Sequence, residues 1–274
     1  MRILITRPAE DGAQIAARLA EMGHEGLVAP LLTPRYPAPG DSDFAEPDFT
    51  GVQAILITSA NGVRALVHWI HGPASPFARS AQKGEVAAAI EAQPRGSEGR
   101  RGLFKIPVFA VGPQTAEEAR QAGFGDVRDS DGDARTLAKH TARWTSPEKG
   151  SLLHVCSREA PGTLASALGE AGFDVRPAAL YRVEAATALP DTVLQALADG
   201  QIDAAMFFSP RSAAIFRECL SRSPDAIRLA ASLAASMTAL CISAQTAAAL
   251  APLGFAATRI ADRPNQDAML ALVV

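Results

Sequence analysis

Residues 55–66 read ILITSANGVRAL: an apolar run, a polar corner of Thr58, Ser59, Ala60, Asn61 and Gly62, then a helix-like pattern. A short, continuously apolar run bounded by small polar residues reads as a strand buried on both faces, feeding a helix that covers it. The same succession recurs along the chain. RILIT (2–6) precedes a helical pattern over 9–22, AILIT (54–58) one over 62–70, and PVFAV (107–111) one over 114–122. SLLHV (151–155), AAMFF (204–208) and ALCIS (239–243) precede patterns over 162–171, 212–220 and 245–253. Strands alternating with helices in this way predict an α/β protein built on parallel sheets.

The units also resemble one another. LAEMGHEG (19–26) returns as LGEAGFDV (168–175), ILITSANGVRAL as MFFSPRSAAIF (206–216), and VFAVGPQTAEEARQAGF (108–124) as LCISAQTAAALAPLGF (240–255). These matches set Gly23 against Gly172, Ser59 against Ser209, Thr115 against Thr246 and Phe124 against Phe255. Units recurring in one order make the chain two related α/β halves, and taken alone the repeat suggests a sequential cut near residue 147. The first half carries extra residues between its second and third units. Residues 72–106 account for them, being rich in Gly, Pro, Arg and Ser and lacking a strand pattern. Such a stretch is a surface insertion or, through Arg79, Lys83, Arg95, Arg100, Arg101 and Lys105, a lid over an anionic ligand. The Pro- and acid-rich stretches 36–50 and 183–191 read as connectors.

With 274 residues, 48% of them hydrophobic, the chain can bury two ordinary cores, since domains run to about 100–150 residues. A net charge of −3 argues against a nucleic-acid partner, which calls for a basic surplus. Cys156, Cys219 and Cys241 are sparse, odd in number and without a CxxC pair, as expected of reduced thiols in a cytoplasmic protein. The opening MRILITRPAEDGAQ turns polar too early for a signal peptide. No apolar run approaches the roughly 20 residues that span a bilayer, so no membrane association is expected.

Several chemistries lack their residues. Neither GxGxxG nor GxxxxGK[ST] occurs, no His/Cys/Asp/Glu group has metal-ligand spacing, and Ser59 and Ser209 lack the GxSxG elbow. No cofactor and no metal are expected. The corners are the positive feature: TRPAED (6–11), TSANG (58–62), GPQT (112–115), CSREAPG (156–162), FSPRS (208–212) and SAQT (243–246) all follow strands. In a parallel sheet such corners share the carboxyl edge where ligands bind, and each opens a helix whose first N–H groups attract carboxylates or phosphates. The same Ser, Thr and Asn residues also serve as ordinary helix caps. Tyr181, one of two tyrosines, lies in AALYRVE. It is either a half-buried strand residue or a neutral phenol that donates a hydrogen bond, its reference pKa being about 10.

The ordered set TRP (6–8), TSANGV (58–63), AVGPQTA (110–116) and LYRVE (180–184) resembles the uroporphyrinogen-III synthase family over nearly the whole chain outside 72–106. The resemblance implies two flavodoxin-like parallel-sheet domains joined by a two-stranded connector, with the active site in the interdomain cleft. One domain would comprise 1–34 plus 184–274, the other 39–179, with connecting strands at 34–39 and 179–184. It implies a monomer that cyclises the linear tetrapyrrole hydroxymethylbilane to uroporphyrinogen III, with inversion of the last ring and loss of water. Carried over residue by residue, Tyr181 matches the tyrosine proposed to help the hydroxyl leave. Thr58, Ser59, Asn61 and Gly62, Gln114 and Thr115, Ser209, and Thr246 match the corners that hold substrate. Arg7 and Arg158 are candidate carboxylate contacts. CISAQTA lacks the glycine-proline pair usual in the family's last corner, and CSREAPG is unusual after its strand. A non-catalytic two-lobed binding protein of the same fold is the alternative expectation.

Overall fold

The computed structural model describes residues 1–37, 44, 46–71, 102–159 and 163–273. The chain divides into two compact units, Met1–Thr33 with Glu184–Val274, and Pro34–Val183. A sequential cut near residue 147 is therefore not the division the molecule makes.

The first unit opens with β1 (Arg2–Ile5), α1 (Ala9–Glu21) and β2 (Glu25–Val28). The chain leaves it through β3 (Leu32–Arg35). The second unit contributes β4 (Val52–Ile57), α2 (Ala60–His71), β5 (Val108–Ala110), α3 (Pro113–Gln121) and β6 (Val127–Asp129). It continues with α4 (Ala134–Trp144), β7 (Ser151–Ser157), α5 (Leu164–Glu170) and β8 (Val175–Ala185). Back in the first unit follow α6 (Asp191–Ala198), β9 (Ala204–Phe207), α7 (Pro210–Ser221) and α8 (Ala226–Ser236). The chain ends with β10 (Thr238–Cys241), α9 (Ala244–Leu250), β11 (Ala257–Ile260) and α10 (Gln266–Ala271).

Strand order is β11-β10-β9-β1-β2 in one sheet and β3-β8-β7-β4-β5-β6 in the other. All four pairings in the first sheet are parallel, as are β8–β7, β7–β4, β4–β5 and β5–β6 in the second. The internal repeat maps onto these orders. With β1 matched to β7, β2 to β8, β9 to β4, β10 to β5 and β11 to β6, the five strands lie side by side in the same succession in both sheets. The second unit runs through that arrangement in permuted chain order, with β3 added beyond β8.

Burial explains why these segments form parallel strands. Ile3, Ile5, Met206 and Leu240 pack on one face of the first sheet with Ile15 and Leu19 of α1 and Met269 and Leu270 of α10. Leu4, Phe207 and Cys241, one residue out of phase, pack on the other with Val193, Phe216, Leu220 and Leu233. The second sheet repeats the scheme, Ile55, Ile57, Leu153 and Val155 against α2 and Leu56, Phe109 and Leu152 against Leu137, Leu164 and Leu168. Two buried faces demand continuous apolar runs, which is why these strands stand out in the sequence. Of the stretch 72–106, residues 72–101 lie outside the described residues. Gly102–Lys105 form a 3-10 turn, and Leu103, Phe104 and Ile106 pack onto the core around α2, with the Phe104 and Phe124 rings 4.9 Å apart. No helix among the described residues is long and apolar enough to cross a membrane.

His154 departs from the apolar pattern. It sits in fully buried β7 opposite Leu56 and is 2% exposed, and neither ring nitrogen has a hydrogen-bond partner. Burial pushes its pKa down to about 4. A base whose folded pKa lies below its unfolded value of about 6.5 favours the fold while neutral. Its contribution is complete above pH 6.5 and is lost as pH falls towards 4. The loss should reach roughly 3 kcal/mol by pH 4. Urea titrations from pH 7.5 to 4.5 should show this decline, flattened in His154→Leu; an equal decline in that variant would assign it to other groups.

Candidate active site

In an open parallel sheet, the crevice for a ligand forms where neighbouring strands send their connections to opposite sides. In the first sheet that point lies between β1, which continues to β2, and β9, which continues to β10. In the second it lies between β7, which continues to β8, and β4, which continues to β5. Arg7 and Ser209 follow the first pair of strands; Arg158 and Ser59 follow the second. Arg7 and Arg158 thus occupy corresponding corners of the two units. They differ in exposure. The Arg7 guanidinium pairs with the buried Asp11 carboxylate at 2.5 Å and lies 5.0 Å from the centroid of the Phe208 ring. Arg158 is exposed at the end of β7, its N–H donating to the Tyr181 carbonyl at 2.8 Å.

Tyr181 is brought to the second of these corners by β8, where it pairs with Ser157 after a register shift. Its ring is 7% exposed and packs in the core with Ile57, Val63 and Val155. Its hydroxyl lies 3.1 Å from Ser59 Oγ. Burial raises the phenol pKa, opposed by the Ser59 hydrogen bond, so the group is a neutral phenol at pH 7. Ser59 Oγ also accepts from the Gly62 N–H at 3.2 Å. One serine therefore caps α2 and touches the tyrosine.

The remaining candidates divide by exposure. Thr58 and Asn61 are half-buried and Gln114 is exposed, all at the carboxyl edge of the second sheet. Thr115 is buried behind Gln114. Gly62 is directed inward: a Cβ there would meet Ile57 Cγ2 at 2.9 Å, so the glycine lets α2 approach β4 closely. In the first unit, Ser209 Oγ accepts from the Ser212 N–H at 3.0 Å, and Ser243 Oγ accepts from the Thr246 N–H at 3.3 Å. The fully buried Thr246 hydroxyl lies 3.0 Å from Ser243 Oγ, within that cap. Thr246→Val should accordingly lower stability by about 1 kcal/mol and leave KM unchanged. Thermal melts with steady-state kinetics check this, and a raised KM at an unchanged melting temperature would return the hydroxyl to ligand binding.

A family model described as uroporphyrinogen-III synthase HemD matches residues 13–271. The chain belongs to the uroporphyrinogen-III synthase family. Among solved structures, the uroporphyrinogen-III synthetase of Helicobacter pylori is similar over 100% of this chain and 98% of its own, at 21% identity and a TM-score of 0.60. That likeness shows a common two-sheet fold. A triple mutant of uroporphyrinogen III synthase from the extremely thermophilic bacterium Thermus thermophilus aligns over 100% of this chain and 97% of its own, at 21% identity and a TM-score of 0.49. No curated protein sequence matches significantly.

Within the uroporphyrinogen-III synthase family, the departure at CISAQTA has a structural counterpart. Ser243 stands where a glycine would, and its side chain supplies the cap that Gly112, at the matching corner of the other unit, does not. The sequence left other residues unnoticed. Asp11, which holds Arg7, was visible only as an i,i+4 partner in TRPAED. Arg64 of α2 and Glu118 of α3 form an ion pair with side chains 3% and 15% exposed, through Nε–Oε1 at 2.8 Å and Nη2–Oε2 at 3.3 Å. No local spacing signals a pair 54 residues apart. Among the described residues no group of three or more His, Cys, Asp or Glu side chains is arranged to hold a metal.

Proposed function

We infer that the chain catalyses the reaction of its family, closing hydroxymethylbilane to uroporphyrinogen III with inversion of ring D and loss of water. The family match over residues 13–271 carries this reading. A buried neutral phenol at a ligand-binding corner supports it chemically. Loss of the hydroxyl from the electron-rich bilane leaves an azafulvene cation, and Tyr181 donates the hydrogen bond that eases that departure. Ring D then attacks through its substituted carbon, giving a spiro intermediate that rearranges and loses a proton to restore the aromatic pyrrole. No nucleophile has to be spent, so the protein's contribution is to fold the bilane and hold it.

Binding follows from the corners. The Ser59 and Ser209 caps take the N–H of the third helical residue, so a substrate carboxylate meets the N–H groups of Ala60 and Asn61 and that of Arg211, Pro210 having none. Thr58, Asn61 and Gln114 present side chains beside them, and Arg7 and Arg158 supply the charge. Thr115, Thr246 and Gly62 shape these corners from behind. The chain acts as a cytoplasmic monomer without a cofactor; the buried free thiols of Cys156, Cys219 and Cys241 support a reducing setting.

The test is the isomer formed. Supplied with freshly generated hydroxymethylbilane, the protein should give type III uroporphyrinogen well above the spontaneous type I background. Chromatography after oxidation to the porphyrins separates the two, and type I alone would sink the proposal.

A further inference from the structure

We propose that the Arg64–Glu118 ion pair is a positioning device that holds the corner after β4 in register with the corner after β5. The proposal rests on the reading above, in which these two corners meet the substrate. Arg64 lies three residues beyond Asn61 in α2, with its Nη1 3.5 Å from Asn61 Oδ1. Glu118 lies four residues beyond Gln114 in α3, on the same face of the helix. The pair therefore sits one turn behind Asn61 at one corner and Gln114 at the other.

Its surroundings make an ionic contact conspicuous. Around it, α2 and α3 bury Val63, Leu66, Val67 and Ala119 in one apolar core. Apolar groups of similar volume would fill this space without the desolvation that a buried charge pair carries. What they would not supply is direction. A guanidinium meeting a carboxylate through two nitrogen–oxygen contacts fixes both the rotation of each helix and its position along its axis. Apolar packing tolerates small slips of one helix along another, and the forked pair resists them. Because Glu118 balances Arg64, the pair also sets geometry without adding a net charge behind the corners. A reaction governed by folding a flexible substrate depends on such registration, since a displacement of about 1 Å can lower a rate roughly 100-fold.

The experiment compares the full-length wild-type chain with Arg64→Met/Glu118→Leu and with Glu118→Gln. The double variant removes both charges and keeps the volume; Glu118→Gln keeps the shape and is read in its place should the double variant not fold. In the variant, KM for hydroxymethylbilane should stay within about 3-fold while kcat falls about 10-fold and the type I share of product rises. Hydrogen exchange without substrate should quicken at Asn61–Val63 and at Gln114–Ala116 together. A folded variant with wild-type kcat, isomer ratio and exchange overturns the proposal, as does faster exchange confined to one helix. A wild-type chain that forms only type I refutes the functional reading instead, and the exchange comparison then still decides whether the pair couples the corners.

Discussion

Tyr181→Phe should lower kcat by about 10- to 100-fold, leave KM within about 3-fold, and leave the fold intact. The substitution removes one hydroxyl from a ring that is 7% exposed and keeps every apolar contact of that ring. Ser59 Oγ retains the Gly62 N–H, so the cap of α2 survives the change. Stability should therefore drop by no more than about 1 kcal/mol, the worth of an ordinary hydrogen bond. The loss falls on the departing hydroxyl. General acids contribute about 100- to 10,000-fold to proton transfer, and the lower end applies here because an electron-rich pyrrole already expels hydroxide readily. Raised by burial, the phenol stays protonated throughout the neutral range, so the wild-type rate should show no ionisation of Tyr181 below pH 9. Single-turnover rates with substrate in excess of KM are the measurement. Wild-type turnover in the phenylalanine variant would leave Tyr181 a packing residue.

What made the fold legible was burial on both faces. SLLHVCS is buried at every position, and AAMF likewise, so each stands out as an apolar run. Strand β11, ATRI, is exposed at all of its positions and β6 is VRD; neither carries an apolar run to find. Both are edge strands, held by the backbone ladder to a single neighbour. The helix over Asp191–Ala198 was hidden for a different reason: it belongs to a stretch with no counterpart in the repeat, which drew attention only to matched units.

The repeat also shows a limit of sequence order as a guide to topology. It identifies β4 with β9 and β8 with β2, correspondences that the two sheet orders share. It does not say which copies pair. Strand β7 hydrogen-bonds to β4, although some 90 residues and two other strands come between them in the chain. A sequential division would have torn that pairing apart. The site obeys the same physics. Ser59 and Ser209 were recognisable because a cap is local, three residues from its donor. The contact of Ser59 with Tyr181 spans 122 residues and that of Arg64 with Glu118 spans 54, distances at which only the folded sheet brings groups together.

The two corner arginines should separate binding from stability. Arg158→Ala should raise KM about 10-fold and shift the melting temperature little, because the contacts of an exposed side chain contribute little to folding and the backbone bond to Tyr181 does not depend on it. Exposed guanidinium groups add little to folding, yet one facing a substrate carboxylate contributes about 1.5–3 kcal/mol to binding, of which a tenfold change in KM is the lower part. Arg7→Ala should do more. Asp11 is 3% exposed and loses its guanidinium partner, which costs several kcal/mol where both partners are buried. Arg7 keeps some access to water, so about 2–3 kcal/mol is expected, together with the loss of its contact over Phe208. Asp11→Asn combined with Arg7→Met should recover most of that stability, since it removes both charges and fills the same space, while KM stays high because the substrate's carboxylate still lacks its cation. Urea melts and steady-state kinetics on these variants read the two effects independently. If Arg7→Met/Asp11→Asn regains its wild-type KM along with its stability, Arg7 braces the β1 corner and does not touch the substrate; if KM remains raised, the same side chain does both, and its counterpart Arg158 only one.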